Sequence, residues 1–350
     1  LDFKILVFNL TERKRGNVEE IFFTIPSLIR IFLLTFISFA LAILWTPLLT
    51  NFLYKHKLGK KIRKEKAPIY SALHREKENI PTMGGLLIWV TTAVITLLFN
   101  FSREATWLPL FILILTGVLG AFDDLTNIWG RGGMRGRYKV FWQILIAALG
   151  AWWFYEKLEW GTKGIHLPAV GDFAIGIWYI PLFILVIVAT MNAVNFTDGL
   201  DGLAGGLLGL AFFAYGVIAL AQGQIGIAAF CGTIIGALLA FLWFNIYPAR
   251  FFMGDTGSMA LGATLGVIAM LTNQVAVLPI IGFVFVAETL SIILQVFWRN
   301  VFKRKLFVSA PIHHHLESRG WPEPKVTMRL WVLGAVFAAI GLVIGLLGRG

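Results

Sequence analysis

The sequence predicts an all-α, polytopic membrane protein of about ten transmembrane helices. Three observations carry that prediction. Hydrophobic residues make up 58% of the 350 and charged residues 14%, with a mean hydropathy of +0.78; a soluble domain of this size would lack the polar groups to cover its surface. Apolar runs of about twenty residues recur along the whole length, each long enough to cross a hydrocarbon core. Runs such as 108–121 and 180–189 show no polar–apolar alternation, which excludes the alternating strands of an outer-membrane barrel.

The expected spans lie near 21–54, 81–101, 106–124, 139–156, 174–197, 203–221, 225–247, 257–273, 276–303 and 326–347. The first and ninth are long enough to tilt or to project beyond the bilayer. Every loop is under thirty residues, so the chain reads as one integral-membrane domain, 1–350. Segment 1–20 is expected to lie outside or at the interface; it is too polar for a cleavable signal peptide. Segment 157–173, with Gly161, Gly164, Pro168 and Gly171, reads as a short outer excursion, a hairpin in one reading.

Charge orients the spans. Loop 55–80 carries nine Lys or Arg, loop 124–139 carries Arg131, Arg135, Arg137 and Lys139, and segment 298–329 carries seven more. The loops on the other side hold only Arg103, Lys157 and Lys163. By the positive-inside rule the basic loops are cytoplasmic and both termini are outside. Arg13, Lys14 and Arg15 oppose this, but they are offset by Glu12, Glu19 and Glu20 and outnumbered by the later loops. The net charge of +11 thus follows from topology and anionic lipid, and nucleic acid is not an expected partner. The single cysteine, Cys231, excludes a disulfide framework and reads as a packed small residue.

Five aspartates, Asp123, Asp124, Asp198, Asp201 and Asp255, fall where apolar runs stop, and alternate crossing puts all five on the basic side. Carboxylates near hydrocarbon are costly and are seldom kept there without a use. Adjacent Asp123 and Asp124 suit Mg²⁺, a hard cation that binds few carboxylates and retains water for phosphate oxygens; charges in the head-group region are the plainer alternative. An acidic pair at a helix C-terminus opposes the macrodipole, so stability alone does not account for it. Asn192, Asn195, Asp198 and Asp201 recur every third residue and would share one face of a helical turn, with a structural polar turn as the alternative. Asp255, in Phe252-Met-Gly-Asp-Thr-Gly-Ser258, adds a carboxylate between glycines, and Asn245 and Pro248 precede it.

Lys77 and Lys139 are the cations nearest the membrane-entry points, suited to phosphate or to lipid head groups. Glu288 lies deep in the ninth span, and Gln295 lies two turns nearer the basic face. His313, His314 and His315 are consecutive, so a regular helix cannot turn all three toward one ion, which argues against a three-histidine zinc site. Phosphate binding or acid–base work is the functional reading, and packing is the alternative.

Six words in order resemble the phospho-N-acetylmuramoyl-pentapeptide transferases, of the polyprenyl-phosphate N-acetylhexosamine-1-phosphate transferase superfamily. They are Pro-Thr-Met-Gly-Gly at 81–85, Asp-Asp at 123–124, Asn-Ala-Val-Asn-Phe-Thr-Asp-Gly-Leu-Asp-Gly-Leu-Ala at 192–204, Phe-Phe-Met-Gly-Asp-Thr-Gly-Ser at 251–258, Glu-Thr-Leu-Ser-Ile-Ile-Leu-Gln at 288–295 and Pro-Ile-His-His-His-Leu-Glu at 311–317. The resemblance implies ten spans, a cytoplasm-facing cleft in the bacterial inner membrane and a homodimer. It implies transfer of phospho-MurNAc-pentapeptide from UDP-MurNAc-pentapeptide to undecaprenyl phosphate, with Mg²⁺ as cofactor. Asp123, Asp124 and Asp255 would then be the central carboxylates, Asp255 the metal ligand, and His314 a catalytic partner. Lys77, Thr82, Lys139, Asn192, Asn195, Asp198, Asp201, Asn245, Phe252, Gln295, His313 and His315 would line the substrate site. One position departs: Asn127 stands where relatives often carry Lys, leaving that charge missing or supplied by Arg131, Arg135 or Arg137.

Three rivals are set against this. A UDP-GlcNAc:polyprenyl-phosphate transferase keeps the chemistry, but its relatives tend to break the triple His. An intramembrane aspartyl protease needs two aspartates facing each other inside the bilayer. A cation transporter needs acidic groups halfway across several spans, and only Glu288 qualifies.

Overall fold

The computed structural model describes residues 25–59, 77–100, 104–160 and 164–348. The N-terminal segment 1–20 and the basic residues of loop 60–76 lie outside the described residues, as do Thr162 and Lys163. The helices are α1 Ile25–Lys55, α2 Gly85–Phe99, α3 Trp107–Thr126, α4 Gly136–Trp152, α5 Tyr179–Thr197, α6 Leu203–Ala221, α7 Ile225–Asn245, α8 Gly254–Leu271, α9 Leu278–Ile281, α10 Phe283–Phe302, α11 Ile312–Ser318 and α12 Glu323–Leu347. Among the described residues eight are long and apolar enough to cross a membrane; α2 is apolar but shorter, at 15 residues. The 17-residue α4 occupies the remaining expected span. The chain is a multi-pass, all-α membrane protein.

The expected ninth span is not continuous. It opens as a 3₁₀ turn, Val275–Val277, continues as α9, and breaks at Gly282 before α10. Glycine does not hold a helical conformation well, and at this position φ is −94° and ψ is 27°.

The most buried helix is α8, in which every residue from Thr256 to Leu271 is buried. Its small residues, Gly257, Ser258, Ala260, Gly262, Ala263 and Gly266, let α3, α5 and α2 pack against it. Where apolar side chains gain nothing by leaving lipid, such close backbone approach supplies the packing energy. The α1–α7 contact works in the same way: a Cβ on Gly236 would lie 2.1 Å from the Thr35 carbonyl oxygen, and Ser38 Oγ donates to the Thr233 carbonyl at 2.7 Å.

Backbone and side-chain bonds show how the helix ends are sorted. At one end of the bundle Thr82 N donates to Leu58 O after α1, and Gly84 and Gly85 N, at the start of α2, donate to the Phe252 and Met253 carbonyls before α8. The C-terminal end of α3, the N-terminal part of α4 and the C-terminal part of α5 all reach Asp255 or its neighbours. Gly202, before α6, bonds Asn245, which ends α7, and Glu323 opens α12 beside Lys77. Helices thus present their C- and N-terminal ends alternately at one face, as ten sequential crossings require.

The opposite end carries a two-stranded antiparallel hairpin, β1 Gly164–Leu167 and β2 Gly171–Ala174, with His166 opposite Asp172. Asn273, just beyond α8, accepts from His166 N at 3.1 Å and donates to the Gly164 carbonyl at 2.9 Å. The excursion expected at 157–173 is therefore a hairpin tied to the end of α8 remote from Asp255.

This arrangement has a direct test. Cysteines placed at exposed Arg135 and at Val170, in a Cys231→Ser background, are expected to react with an impermeant thiol reagent from opposite sides of the membrane. Labelling of both from one side contradicts the alternation.

Candidate active site

The site is built on the α3–α8 contact. Asp124 ends α3 beside the start of α8, where the first backbone N–H groups of a helix have no partner of their own. Its Oδ1 accepts from Asp255 N at 3.2 Å, and its Oδ2 from Thr256 N at 3.0 Å and Thr256 Oγ1 at 2.8 Å. A carboxylate is therefore unfavourable at its own helix C-terminus but favourable at the N-terminus of its neighbour. Gly254 makes room for it: its φ is +73°, and a Cβ there would lie 2.5 Å from both Asp124 Oδ2 and Thr82 Oγ1.

Asp123 and Asp255 share one cation. Lys139 Nζ donates to Asp123 Oδ2 at 3.1 Å and also to Asp255 Oδ2. The remaining oxygens are held too: Asp123 Oδ1 accepts from Met134 N at 2.5 Å, and Asp255 Oδ1 from Asn195 Nδ2 at 2.8 Å. Asn195 Nδ2 also reaches Ser258 Oγ at 2.9 Å. Asp255 remains the most open of the three groups, its side chain 25% exposed against 11% for Asp123 and 17% for Lys139.

Next to this centre is a small cleft lined by Lys77, Thr82, Asp198, Gly199, Leu200, Asp201, Asn245, Phe252 and Gly254. One wall is polar, and the half-buried Phe252 ring is apolar, with Lys77 Nζ 5.6 Å from its centroid. Lys77 also donates to Asp201 Oδ1 and Glu323 Oε1, both at 2.5 Å. Burial alone would lower the Lys77 ammonium below its ordinary pKa, but Asp201 and Glu323 outweigh it and hold the pKa above that value. Asp201 Oδ2 accepts from Ala249 N at 3.0 Å. Asn245 accepts from Gly202 N at 3.0 Å and donates to the Phe251 carbonyl at 2.9 Å, fixing two edges of the cleft.

The repeat of three at 192–201 does not give one shared face. Asn195 serves Asp255, Asp198 and Asp201 line the cleft, and Asn192 pairs with Gln143 of α4, donating to its Oε1 at 2.9 Å. Gln295 and the three histidines also make other contacts. Gln295 Oε1 accepts from Leu306 N at 3.1 Å and Phe307 N at 2.8 Å, holding the loop after α10. His315 Nδ1 accepts from Val308 N at 3.2 Å in the same loop, and His314 Nδ1 lies 2.7 Å from Glu317 Oε2. His313 is fully buried against Gly199, with Nδ1 3.1 Å from the equally buried Glu288. The three imidazoles point three ways, and among the described residues no three His, Cys, Asp or Glu converge as a metal-binding group.

Sequence reasoning did not find Glu323, Thr256 or Gln143. An acid at the start of a helix and a Thr after an Asp are too common to stand out. At the departure from the family pattern, Asn127 is half-buried, while Arg135 and Arg137 are exposed and Arg137 lies over the Tyr138 ring, 4.8 Å from its centroid.

A second, larger opening is apolar. It runs between α5, α8, α9 and α10, along Leu185, Val186, Ala189, Ala193 and Val194 to the residue before Asn195. It therefore ends beside a residue that binds Asp255.

Removing the shared cation should expose its role. Lys139→Met leaves Asp123 and Asp255 without it, and losing one partner of a buried ion pair costs about 3–5 kcal/mol. The melting temperature in detergent with chelator present is expected to fall by several degrees, and the added change Asp255→Asn to recover much of the loss. Purely additive losses would show that the groups are not coupled.

Residues 106–273 match the family described as glycosyl transferase family 4. The chain is 41% identical over 339 residues to the phospho-N-acetylmuramoyl-pentapeptide-transferase of Chloroflexus aurantiacus, covering 92% of this chain and 91% of that one. It is 40% identical over 313 residues to the Levilactobacillus brevis protein of that name, covering 87% and 95%. Identity to the one from Geobacillus sp. is 40% over 315 residues, covering 88% and 95%. With six motifs in order and this degree of identity along nearly its whole length, the chain belongs to the phospho-N-acetylmuramoyl-pentapeptide-transferase family.

Proposed function

We propose that the protein transfers phospho-MurNAc-pentapeptide from UDP-MurNAc-pentapeptide to undecaprenyl phosphate, giving lipid I and UMP. The observation that carries this reading is one centre of three carboxylates and a lysine, set between a polar cleft and an apolar groove. A nucleotide sugar is polar and a polyprenyl chain is not, so a centre joining the two must border both environments. The Phe252 ring offers the nucleotide base a stacking face, while Thr82, Asp198 and Asn245 offer polar groups. The groove between α5 and α10 accepts a long hydrocarbon tail and leaves its head group beside Asn195 and Asp255.

Attack of one phosphate on another brings several negative charges together, and the site must offset them. Mg²⁺ fits the donor set, because Asp123 and Asp255 offer hard oxygen and the cation needs only one or two protein carboxylates beside phosphate and water. Asp255, the more open of the two, would be its principal ligand, and Mg²⁺ would supply positive charge to the phosphates. Lys139 offers a second positive charge at the same oxygens. Asp124 holds the start of α8 and so fixes where Asp255 stands. His314, paired with Glu317 and 14% exposed, is assigned a catalytic part by the family resemblance alone. A homodimer in the bacterial inner membrane belongs to the same reading. The centre faces the cytoplasm, where the basic loops and a soluble UDP-linked donor would both lie.

Purified protein is expected to release UMP from UDP-MurNAc-pentapeptide only when undecaprenyl phosphate and Mg²⁺ are present, and UDP-GlcNAc is not expected to replace the donor. Asp255→Asn should reduce turnover by about a hundredfold or more while the protein stays folded. Near-normal UMP release by that variant, or equal use of UDP-GlcNAc, overturns the assignment.

A further inference from the structure

Glu323 opens α12, and its side chain is 8% exposed. A single oxygen, Oε1, accepts from Lys77 Nζ at 2.5 Å and from Asp201 N at 2.7 Å. Both of those residues line the polar cleft, whereas Glu323 does not. The next turns of α12 continue along one stripe: Thr327 Oγ1 donates to the Asp201 carbonyl at 3.3 Å, and Trp331 Nε1 to the Gly202 carbonyl at 3.2 Å. Positions 323, 327 and 331 are four apart, so one face of the helix grips the Asp201–Gly202 turn. The Asp201 carboxylate is itself committed to Lys77 and Ala249 N.

We propose that Glu323 is a positioning residue for the donor site: without touching the nucleotide sugar, it holds the Lys77 ammonium and the Asp201 turn in place against Phe252. This rests on reading the cleft as the nucleotide-diphosphate site. Its carboxylate binds both cleft residues at once, one through charge and one through a backbone N–H. The plainer role of an acid at a helix start is to offset the helix dipole. That role predicts a change in stability and none in donor affinity.

Two variants of the full chain in detergent separate these roles, read by steady-state UMP release and by equilibrium binding of UDP. Glu323→Ala is expected to raise the KM for UDP-MurNAc-pentapeptide and the Kd for UDP by about tenfold, with kcat within about threefold of the parent. Glu323→Gln keeps an acceptor for Asp201 N but loses the charge facing Lys77, and is expected to raise both by about threefold. Parental KM and Kd in Glu323→Ala, or a fall in kcat at parental KM, overturns the proposal. If Glu323→Ala does not fold, Glu323→Gln decides alone, and parental values there overturn it. A parent that releases no UMP counts against the functional reading instead, while UDP binding still tests the role of Glu323.

Discussion

One ammonium between two carboxylates from different helices is the constraint on which the site depends. Asp123 comes from α3, Asp255 from α8 and Lys139 from α4. Moving any of these helices along its axis by one turn, about 5.4 Å, would break the arrangement. The helices are held by close packing of small residues on α8, and by Asp124, which ties the end of α3 to the start of α8. The energetic oddity of two aspartates at a helix C-terminus is resolved by a neighbour: Asp124 meets the partial positive charge of α8, and Asp123 meets Lys139. Stability and function are joined here, because the bonds that make the acidic pair tolerable also place Asp255 between cleft and groove.

Much of this was legible in the chain. Hydrocarbon thickness imposes a fixed length on every span, so apolar runs alone placed the eight span-length helices and the shorter α2 and α4, though not the break at Gly282, and alternate crossing gathered the five aspartates at one end. The spacing of Asp123 and Asp255, more than a hundred residues apart, gave no sign that they share Lys139. That partnership depends on which helices are neighbours, and hydropathy does not encode it. The repeat at Asn192, Asn195, Asp198 and Asp201 suggested one shared face, but the helix ends at Thr197, and beyond it a period of three no longer fixes direction. Gln295 and His315 illustrate a further limit. Both are polar groups near the site, yet they fasten the loop at 306–308, a role that only backbone geometry discloses.

The bundle also explains how one active centre serves two unlike substrates. The break at Gly282 between α9 and α10 borders the groove with α5, whose lining is almost entirely apolar. On the other side, α12 begins with Glu323, and the loop from Lys77 to Thr82 closes the polar cleft. Asp123, Asp124 and Asp255 lie where these two environments meet. The histidine run supports this region mainly from behind, with His313 packed beneath Gly199.

On the proposed reading, Asp255 and Asp123 form a cation site that Lys139 partly fills. Mn²⁺, a spectroscopic stand-in for Mg²⁺, measures this directly through the electron paramagnetic resonance of the free ion in a titration of purified protein. About one site per chain is expected in the parent, with loss of that site in Asp255→Asn and tighter binding in Lys139→Met, where the competing ammonium is gone. Parental Mn²⁺ binding by Asp255→Asn, or weaker binding by Lys139→Met, would contradict it.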